Sequence, residues 1–529
     1  MERRKRLEYL DPKEPMAFIA VGLVSTMLLF LSMQACTSVV DSIADSYPNI
    51  LVIYTDDLGY GDVGCYNPES KIATPHIDRL ASNGMLFTDA HSSASICTPS
   101  RYSLMTGRYP WRRIDRIVLP FGPSLIGEDE LTVPKMLKEK GYQTALIGKW
   151  HLGWDWNWRG GVRPPEDQIT SGGNSLVTAD LLDFGQLVTG GAMGAGFDYY
   201  FGQDVPNFPP YAWMENGRFL SKDLVQLKAE EIESTAFRGN IHGDGPGEPG
   251  WRFDEVMPKL LGRAVRYLRE MKDSETPFFL LFSTTSPHTP VVPVSEFHGK
   301  SEAGFYGDYI QQLDKEVGEI MRVLEETDLL QNTLIIFTSD NGPEAIVKDV
   351  VANHGHRSMG AFRGVKWDVY EGGHRVPFIV HWPGVVKPNT KSNALISQLD
   401  IMATLASLVG VPLPPEMSGD SYDFLPLLTQ ESTAAPREYL VQSTGSGKDR
   451  VFALRHKNWV YINANSGRLP WGTKLWFNEY ERNRGVVPHD EPDELFDLSK
   501  DPEQRYNLVR EERKLADEMR ILLNTLLGS

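Results

Sequence analysis

Asn49-Ile50-Leu51-Val52-Ile53-Tyr54-Thr55-Asp56-Asp57 is an unbroken apolar run that stops on two adjacent carboxylates. A strand with one wet face alternates apolar and polar residues, whereas a continuous run of this length suits a strand covered on both faces, as in a parallel sheet. Runs of the same kind recur at 144–147, 278–282, 334–338 and 377–381. Helical patterns lie between them at 133–140, 253–271, 306–327 and 401–409. Strands alternating with helices predict an α/β domain whose mainly parallel central sheet is flanked by helices. In such sheets the chemistry gathers at the carboxyl ends of the strands, and polar clusters follow several of these runs directly.

The chain has 529 residues, which suits a large domain with a smaller companion rather than one core. Residues 1–46 read as an export signal and linker, and 47–430 as a catalytic domain with inserted loops around 159–250. Residues 431–529 read as a smaller C-terminal α+β subdomain, because short strand patterns at 439–441, 451–454, 458–462 and 494–498 are separated by turn signals. A terminal helix is expected from Glu511. With 41% hydrophobic and 23% charged residues the chain can bury a sizeable interior, so wholesale disorder is not expected. The formal net charge of −17 repels nucleic acid over most of the surface, and any anionic ligand must rely on a local basic pocket.

Arg3, Arg4, Lys5 and Arg6 precede an apolar run at 16–33 and then small residues around Ala35, Cys36 and Ser38. That order of charged, apolar and small segments is the pattern of an export signal; a single membrane-spanning anchor is the competing reading. Met33-Gln34-Ala35-Cys36 also resembles a bacterial lipoprotein cleavage box, which would make Cys36 a lipid anchor. A bacterial protein exported to the periplasm, anchored to the outer membrane as a lipoprotein, or secreted is therefore expected. Three cysteines, Cys36, Cys65 and Cys97, are too few for a disulfide framework.

Asp56-Asp57 closes the first apolar run and Asp340-Asn341-Gly342 closes another. Three carboxylates and an amide at strand ends are hard oxygen ligands suited to Ca²⁺ or Mg²⁺, and no Cys/His cluster argues for zinc. Each pair alone reads equally well as a helix cap or a turn. Adjacent carboxylates without a cation, however, repel one another.

The string Cys97-Thr98-Pro99-Ser100-Arg101, with Thr106-Gly107 after it, resembles the signature of the formylglycine-dependent (type I) sulfatases, and in particular their arylsulfatase and N-acetylgalactosamine-6-sulfatase branches. Further elements follow in family order: Lys149-x-His151, His288 within Ser-Pro-His-Thr-Pro, and Lys366 within Phe-Arg-Gly-Val-Lys. The resemblance runs from about 48 to 427 and returns at 494–508. It implies an alkaline-phosphatase-like fold and hydrolysis of a sulfuric ester carried by a carbohydrate or an aryl group. It also implies that Cys97 is oxidised to formylglycine by a formylglycine-generating or anaerobic sulfatase-maturating enzyme, giving a hydrated aldehyde that attacks sulfur. Asp56, Asp57, Asp340, Asn341 and the modified residue 97 would hold the cation, while Lys149 and Lys366 clamp the sulfate. Arg101 would orient residue 97, His288 would contact substrate and protonate the departing oxygen, and His151 would take the proton that frees sulfate. No residue matches a serine that some members place on the sulfate.

Two rival readings remain open at this point: a phosphomonoesterase or phosphonate monoester hydrolase on the same fold, and a non-catalytic lipoprotein that binds sulfated glycans. Trp154, Trp156 and Trp158, interleaved with polar residues, suit either a sugar-facing rim or packed loop anchors. His354, His356, Arg357, His374 and Arg375 are expected as unassigned polar neighbours of the pocket.

Overall fold

The apolar run at 49–54 forms the middle of a sheet in which it is buried on both faces. The computed structural model describes residues 47–114, 116–233, 241–417, 419–468 and 474–528; the expected export signal and lipid anchor lie outside them. Among the described residues ten strands share this sheet: β1 (Asn49–Asp56), β2 (Met85–Phe87), β3 (Gln143–Lys149), β4 (Tyr199–Gln203), β5 (Met214–Glu215), β6 (Arg218–Phe219), β7 (Phe278–Pro287), β8 (Thr333–Ser339), β9 (Phe378–His381) and β10 (Thr390–Ser392). Their spatial order is β10-β2-β9-β8-β1-β7-β3-β4-β5-β6. The central block β8-β1-β7-β3-β4 is parallel throughout.

Alternation along the strands decides which helices cover which face. Leu51, Ile53, Leu280, Phe282, Ile335 and Phe337 join one core with helices α1 (Pro75–Ser82), α3 (Val256–Glu270) and α4 (Gly304–Glu326). The intervening residues Tyr54, Leu146 and Leu281 line one small cavity together with Leu104 and Met105 of α2 (Cys97–Thr106). Helix α3 faces the sheet because Val256, Met257, Leu260, Ala264, Tyr267 and Leu268 recur at helical spacing. The start of α1 is tied to α4 by Asp314, whose carboxylate accepts the His76 and Ile77 N–H groups at 3.0 and 2.8 Å.

Two elements differ from expectation. The run at 377–381 forms β9, but β9 pairs antiparallel to β8, because burial on both faces does not report strand direction. Within 159–250, expected as decoration, Tyr199–Gln203 extends the parallel block and the hairpin β5–β6 continues it. Its short, glycine-broken aromatic run carries too little pattern to be recognised as a strand.

A second sheet, β11 (Tyr439–Thr444), β12 (Val451–His456), β13 (Trp459–Ile462) and β14 (Glu494–Asp497), is antiparallel in chain order. The terminal helix α6 (Arg513–Gly528) covers it through Ala516, Met519 and Leu523. The chain entering this sheet is anchored through buried charge. Arg437, just before β11, bonds Asp400 of α5 (Asp400–Val409), with Nε on Oδ2 at 2.9 Å and both side chains fully buried.

Removing one member of a buried pair leaves an uncompensated charge, at a cost of about 3–5 kcal/mol. Arg437→Ala is therefore expected to lower the midpoint of denaturant unfolding strongly. Arg322→Ala, which removes exposed pairs on α4 with Glu319 and Glu326, should scarcely move it.

Candidate functional site

Four neighbouring parallel strands end at one place, and the residues at their ends are the ones singled out by sequence. β1 ends at Asp56, followed by Asp57; β3 ends at Lys149; β7 ends at Pro287, followed by His288; β8 ends at Ser339, followed by Asp340 and Asn341. Close approach of β3 to β7 requires glycine at 148. Its φ is +125°, and a Cβ there would lie 1.7 Å from the Ser283 carbonyl oxygen. Asp57 and His151 adopt left-handed backbone, φ +65° and +58°, and so turn their side chains away from the paths of the preceding strands.

Asp56, Asp57, Asp340 and Asn341 are all completely buried. Three cations share these carboxylates. Lys149 Nζ donates to both Asp56 oxygens at 2.9 and 2.8 Å, and Lys366 Nζ donates to Asp57 Oδ2 at 2.9 Å. Arg101 places Nε and Nη2 on Asp340 Oδ2 at 3.1 and 2.8 Å, with Nη2 3.5 Å from Asp56. Burial opposes the charge on Asp56, yet Lys149, Arg101 and Lys366 hold its carboxyl below its usual range. Burial pushes Asp57 up to about 8 against the pull of Lys366, with Asp56 and Glu344 adding to the rise. Burial and the charge of Asp56 likewise raise Asp340.

Cys97 is the first residue of α2, and its Sγ lies with ligand atoms of Asp56, Asp57 and His288, all within 4.8 Å of one another. Burial pushes the thiol up to about 12, so as a thiol it is almost entirely protonated at neutral pH and a weak nucleophile. Arg101 stands one turn further on, but its hydrogen bonds go elsewhere than to residue 97. Besides Asp340 it reaches the Lys149 carbonyl at 3.2 Å and Ser283 Oγ at 2.7 Å. It orients the carboxylate bed, because a planar fork of donors bonds three separate acceptors at once. Ser283, which accepts from Arg101 and donates to the Lys149 carbonyl at 2.7 Å, was not anticipated; nothing in its sequence context separates it from an ordinary strand serine.

The two histidines have assignable tautomers, since a backbone carbonyl can only accept. His151 Nε2 donates to the Val118 carbonyl at 3.1 Å, which leaves the lone pair on Nδ1, a buried atom without a partner among the described residues. His288 Nδ1 donates to the Thr289 carbonyl at 2.5 Å, which turns Nε2 toward Asp57 Oδ2 at 3.8 Å. Burial and then the neighbouring lysines hold both rings well below the usual imidazole range. The donor set suits a hard divalent cation: three carboxylates converge, and Asn341 Oδ1 is buried without a partner among the described residues while its Nδ2 donates to Asp57 at 2.7 Å.

The tryptophans resolve to packed anchors rather than a rim. Trp154 is completely buried against Tyr200, and Trp156 is buried against Phe121, because the loop after β3 is tied to Gly122, whose carbonyl accepts the Trp154 N–H and the Trp156 Nε1–H. Trp158 is half-buried, its ring edge-on to Phe121. The polar neighbours mostly serve the framework. His354 is exposed, His356 bonds Asp62 at 2.8 Å, and Arg357 is half-buried. His374 Nδ1 faces His91 Nδ1 at 3.0 Å, while the opposite nitrogens bond the Val369 carbonyl and the Asp89 carboxylate, both acceptors only. Nearby Arg375 and Arg455 balance Asp89 and Glu371, leaving no excess negative charge for a metal ion.

Burial would raise Asp89, but Arg375, His91 and Arg455 hold it far below its usual value. A depressed folded pKa adds stability that is complete above the unfolded value near 4 and is lost as pH falls below it. Asp89→Asn should accordingly be less stable than the parent at pH 6, and the gap in denaturation midpoint should narrow steadily between about pH 4 and pH 2.

A family model described as sulfatase matches residues 48–411. The chain is 35% identical to an N-acetylgalactosamine-6-O-sulfatase of Bacteroides thetaiotaomicron over 90% of its length and 93% of that protein. It is 32% identical to human arylsulfatase A, covering 87% of this chain and 83% of that one. A solved sulfatase structure from work on glycosaminoglycan metabolism by B. thetaiotaomicron superposes with TM-score 0.76 at 33% identity, covering 91% of this chain and 99% of that one.

Proposed function

The chain belongs to the sulfatase family and is a sulfuric ester hydrolase, and from that premise we propose that it removes sulfate from a sulfated carbohydrate with a formylglycine made from Cys97 and a bound divalent cation. The observation carrying this reading is the seat of Cys97: a buried thiol, held protonated, at the start of α2 and against Asp56, Asp57 and His288. An unmodified thiol there has little chemistry to offer. Asp56, Asp57, Asp340 and Asn341, with the modified residue 97, would hold Ca²⁺ or Mg²⁺. When bound, such a cation neutralises charge on a sulfate oxygen and favours ionisation of a hydrated formylglycine, whose hydroxyls are the nucleophile and the route of release.

The chain's own residues supply the rest. Lys149 and Lys366, one on each of the adjacent aspartates, flank the place where a sulfate's charge would lie and stabilise it as it builds. Arg101 keeps the carboxylates fixed so that no reorganisation is needed during turnover. His288 would donate a proton from Nε2 to the departing oxygen. Burial and then the lysines disfavour its protonated form, and an anionic sulfate lying between the lysines would remove part of that penalty. His151 would accept a proton at Nδ1, the atom left without a partner. We read residues 1–46 as directing export, on their charged and apolar pattern, and a formylglycine-generating or anaerobic maturase as the partner in biogenesis.

Expressed with a formylglycine-generating enzyme, the peptide containing residue 97 should lose about 18 Da by mass spectrometry, the change from thiol to aldehyde. The same protein should hydrolyse an aryl sulfate far faster than the matching aryl phosphate; the reverse preference would favour a phosphatase. Cys97→Ala should abolish turnover, and His151→Ala or His288→Ala should slow it by about 10²–10⁴-fold. Removing divalent ions with a chelator should suppress activity, and Ca²⁺ at a hundred times its Kd should raise stability by about 2.7 kcal/mol.

A further inference from the structure

The hydrogen bonds left unmade around the site point to what the ester is attached to. Gln203 closes β4 directly opposite Lys149 on β3, and partners in parallel strands project from the same face of the sheet. Its side chain is buried, 5% exposed, and neither Oε1 nor Nε2 has a hydrogen-bond partner among the described residues. The chain beyond Gln203 runs beside the catalytic histidine: Trp150 N–H donates to the Gln203 carbonyl at 3.1 Å and His151 N–H to the Asp204 carbonyl at 2.9 Å. Phe208 then sets its ring edge-on to both His151 and His242, at 5.6 and 4.6 Å between centroids.

His242 comes from the region expected to be a decorated insertion. Its N–H donates to the Asn207 carbonyl at 3.0 Å, which seats the ring beside this segment. Nδ1 bonds the Gly173 carbonyl at 2.9 Å and so carries the hydrogen, leaving a lone pair on Nε2. Burial, and with it the charge of Lys366, lowers its affinity for a proton, so the ring is neutral and Lys366 lies within electrostatic reach.

We propose that Gln203 and His242 are specificity residues that hydrogen-bond the hydroxyl or acetamide groups of a saccharide next to its sulfated carbon, so that the substrate class is a sugar sulfate rather than an aryl or steroid sulfate. The inference rests on the sulfatase reading above. An amide offers donor and acceptor together, and a neutral imidazole adds an acceptor, which matches the mixed donors and acceptors on neighbouring ring carbons. A hydrocarbon leaving group would keep the Gln203 amide buried and unpaired, a mismatch against which a hydrogen-bonding site discriminates strongly.

The test compares kcat/KM for 6-sulfated N-acetylgalactosamine, N-acetylglucosamine and galactose with that for 4-methylumbelliferyl sulfate, in the matured parent, Gln203→Leu and His242→Phe. At least one sugar sulfate should be preferred by the parent, and each variant should lower the sugar-to-aryl ratio by about tenfold or more, the scale of one lost hydrogen bond. Equal losses on both substrates, or none, would overturn the assignment. A parent that hydrolyses aryl sulfate but discriminates against every sugar overturns it while leaving the sulfatase reading intact; a parent inactive on all of them removes that reading and this inference together. Calorimetry on Cys97→Ala gives a readout that needs no change at Gln203 or His242. The preferred sugar sulfate should bind at least about tenfold more tightly than the aryl sulfate, and the opposite order counts against the proposal.

Discussion

Three carboxylates buried side by side at the ends of parallel strands are the constraint on which the rest of this structure depends. In a medium of low dielectric, Asp56, Asp57 and Asp340 repel one another and lose hydration, so they persist only where cations are fixed among them. Arg101, Lys149 and Lys366 meet that need, and each comes from a different part of the chain: the middle of a helix, a strand end and a loop. The positions of α2, of β3 and of the segment around 366 are thereby linked. Burial still leaves Asp57 well above its ordinary value despite the pull of Lys366.

Backbone conformation is spent on the same arrangement. Asp57, His151 and Trp367 are non-glycine residues with positive φ, a state that costs on the order of 1–3 kcal/mol each when strained. Each is held by a hydrogen bond from its own N–H: to Asp340 Oδ1 for Asp57, to the Asp204 carbonyl for His151, and to the Ser95 carbonyl for Trp367. The second sheet contributes to this bracing. Gln442 donates to the Ser92 carbonyl at 2.7 Å and Thr444 to the Trp367 carbonyl at 2.8 Å, so β11 steadies both the approach to Cys97 and the residue after Lys366. The C-terminal segment, which reads in sequence as a smaller subdomain, thus supports the walls of the site.

A strongly acidic chain can therefore carry an anion-handling centre. The charge of −17 is a property of the whole surface, whereas the site is decided by three cations within hydrogen-bond distance of its carboxylates. Screening over a Debye length of about 10 Å separates the two scales.

The local order of the chain was enough to establish the α/β class, the central parallel runs, the antiparallel C-terminal sheet and the identity of the residues that meet at the strand ends. The class and the sheets follow from hydrophobic periodicity, and the residues at the strand ends from paired acidic residues after the apolar runs and from the resemblance of short motifs to the sulfatase signature. Direction and partnership were not legible: the antiparallel β9, the strand β4 inside an apparent insertion, the packing of Trp154 and Trp156, and the roles of Ser283, Gln203 and His242 all depend on residues far away in the chain. Arg101 illustrates the division. Its place one turn beyond Cys97 follows from sequence alone, but that its guanidinium binds Asp340 rather than residue 97 was decided by tertiary structure, because only the pairing of β1, β3, β7 and β8 brings acceptors 48, 182 and 239 residues away within its reach.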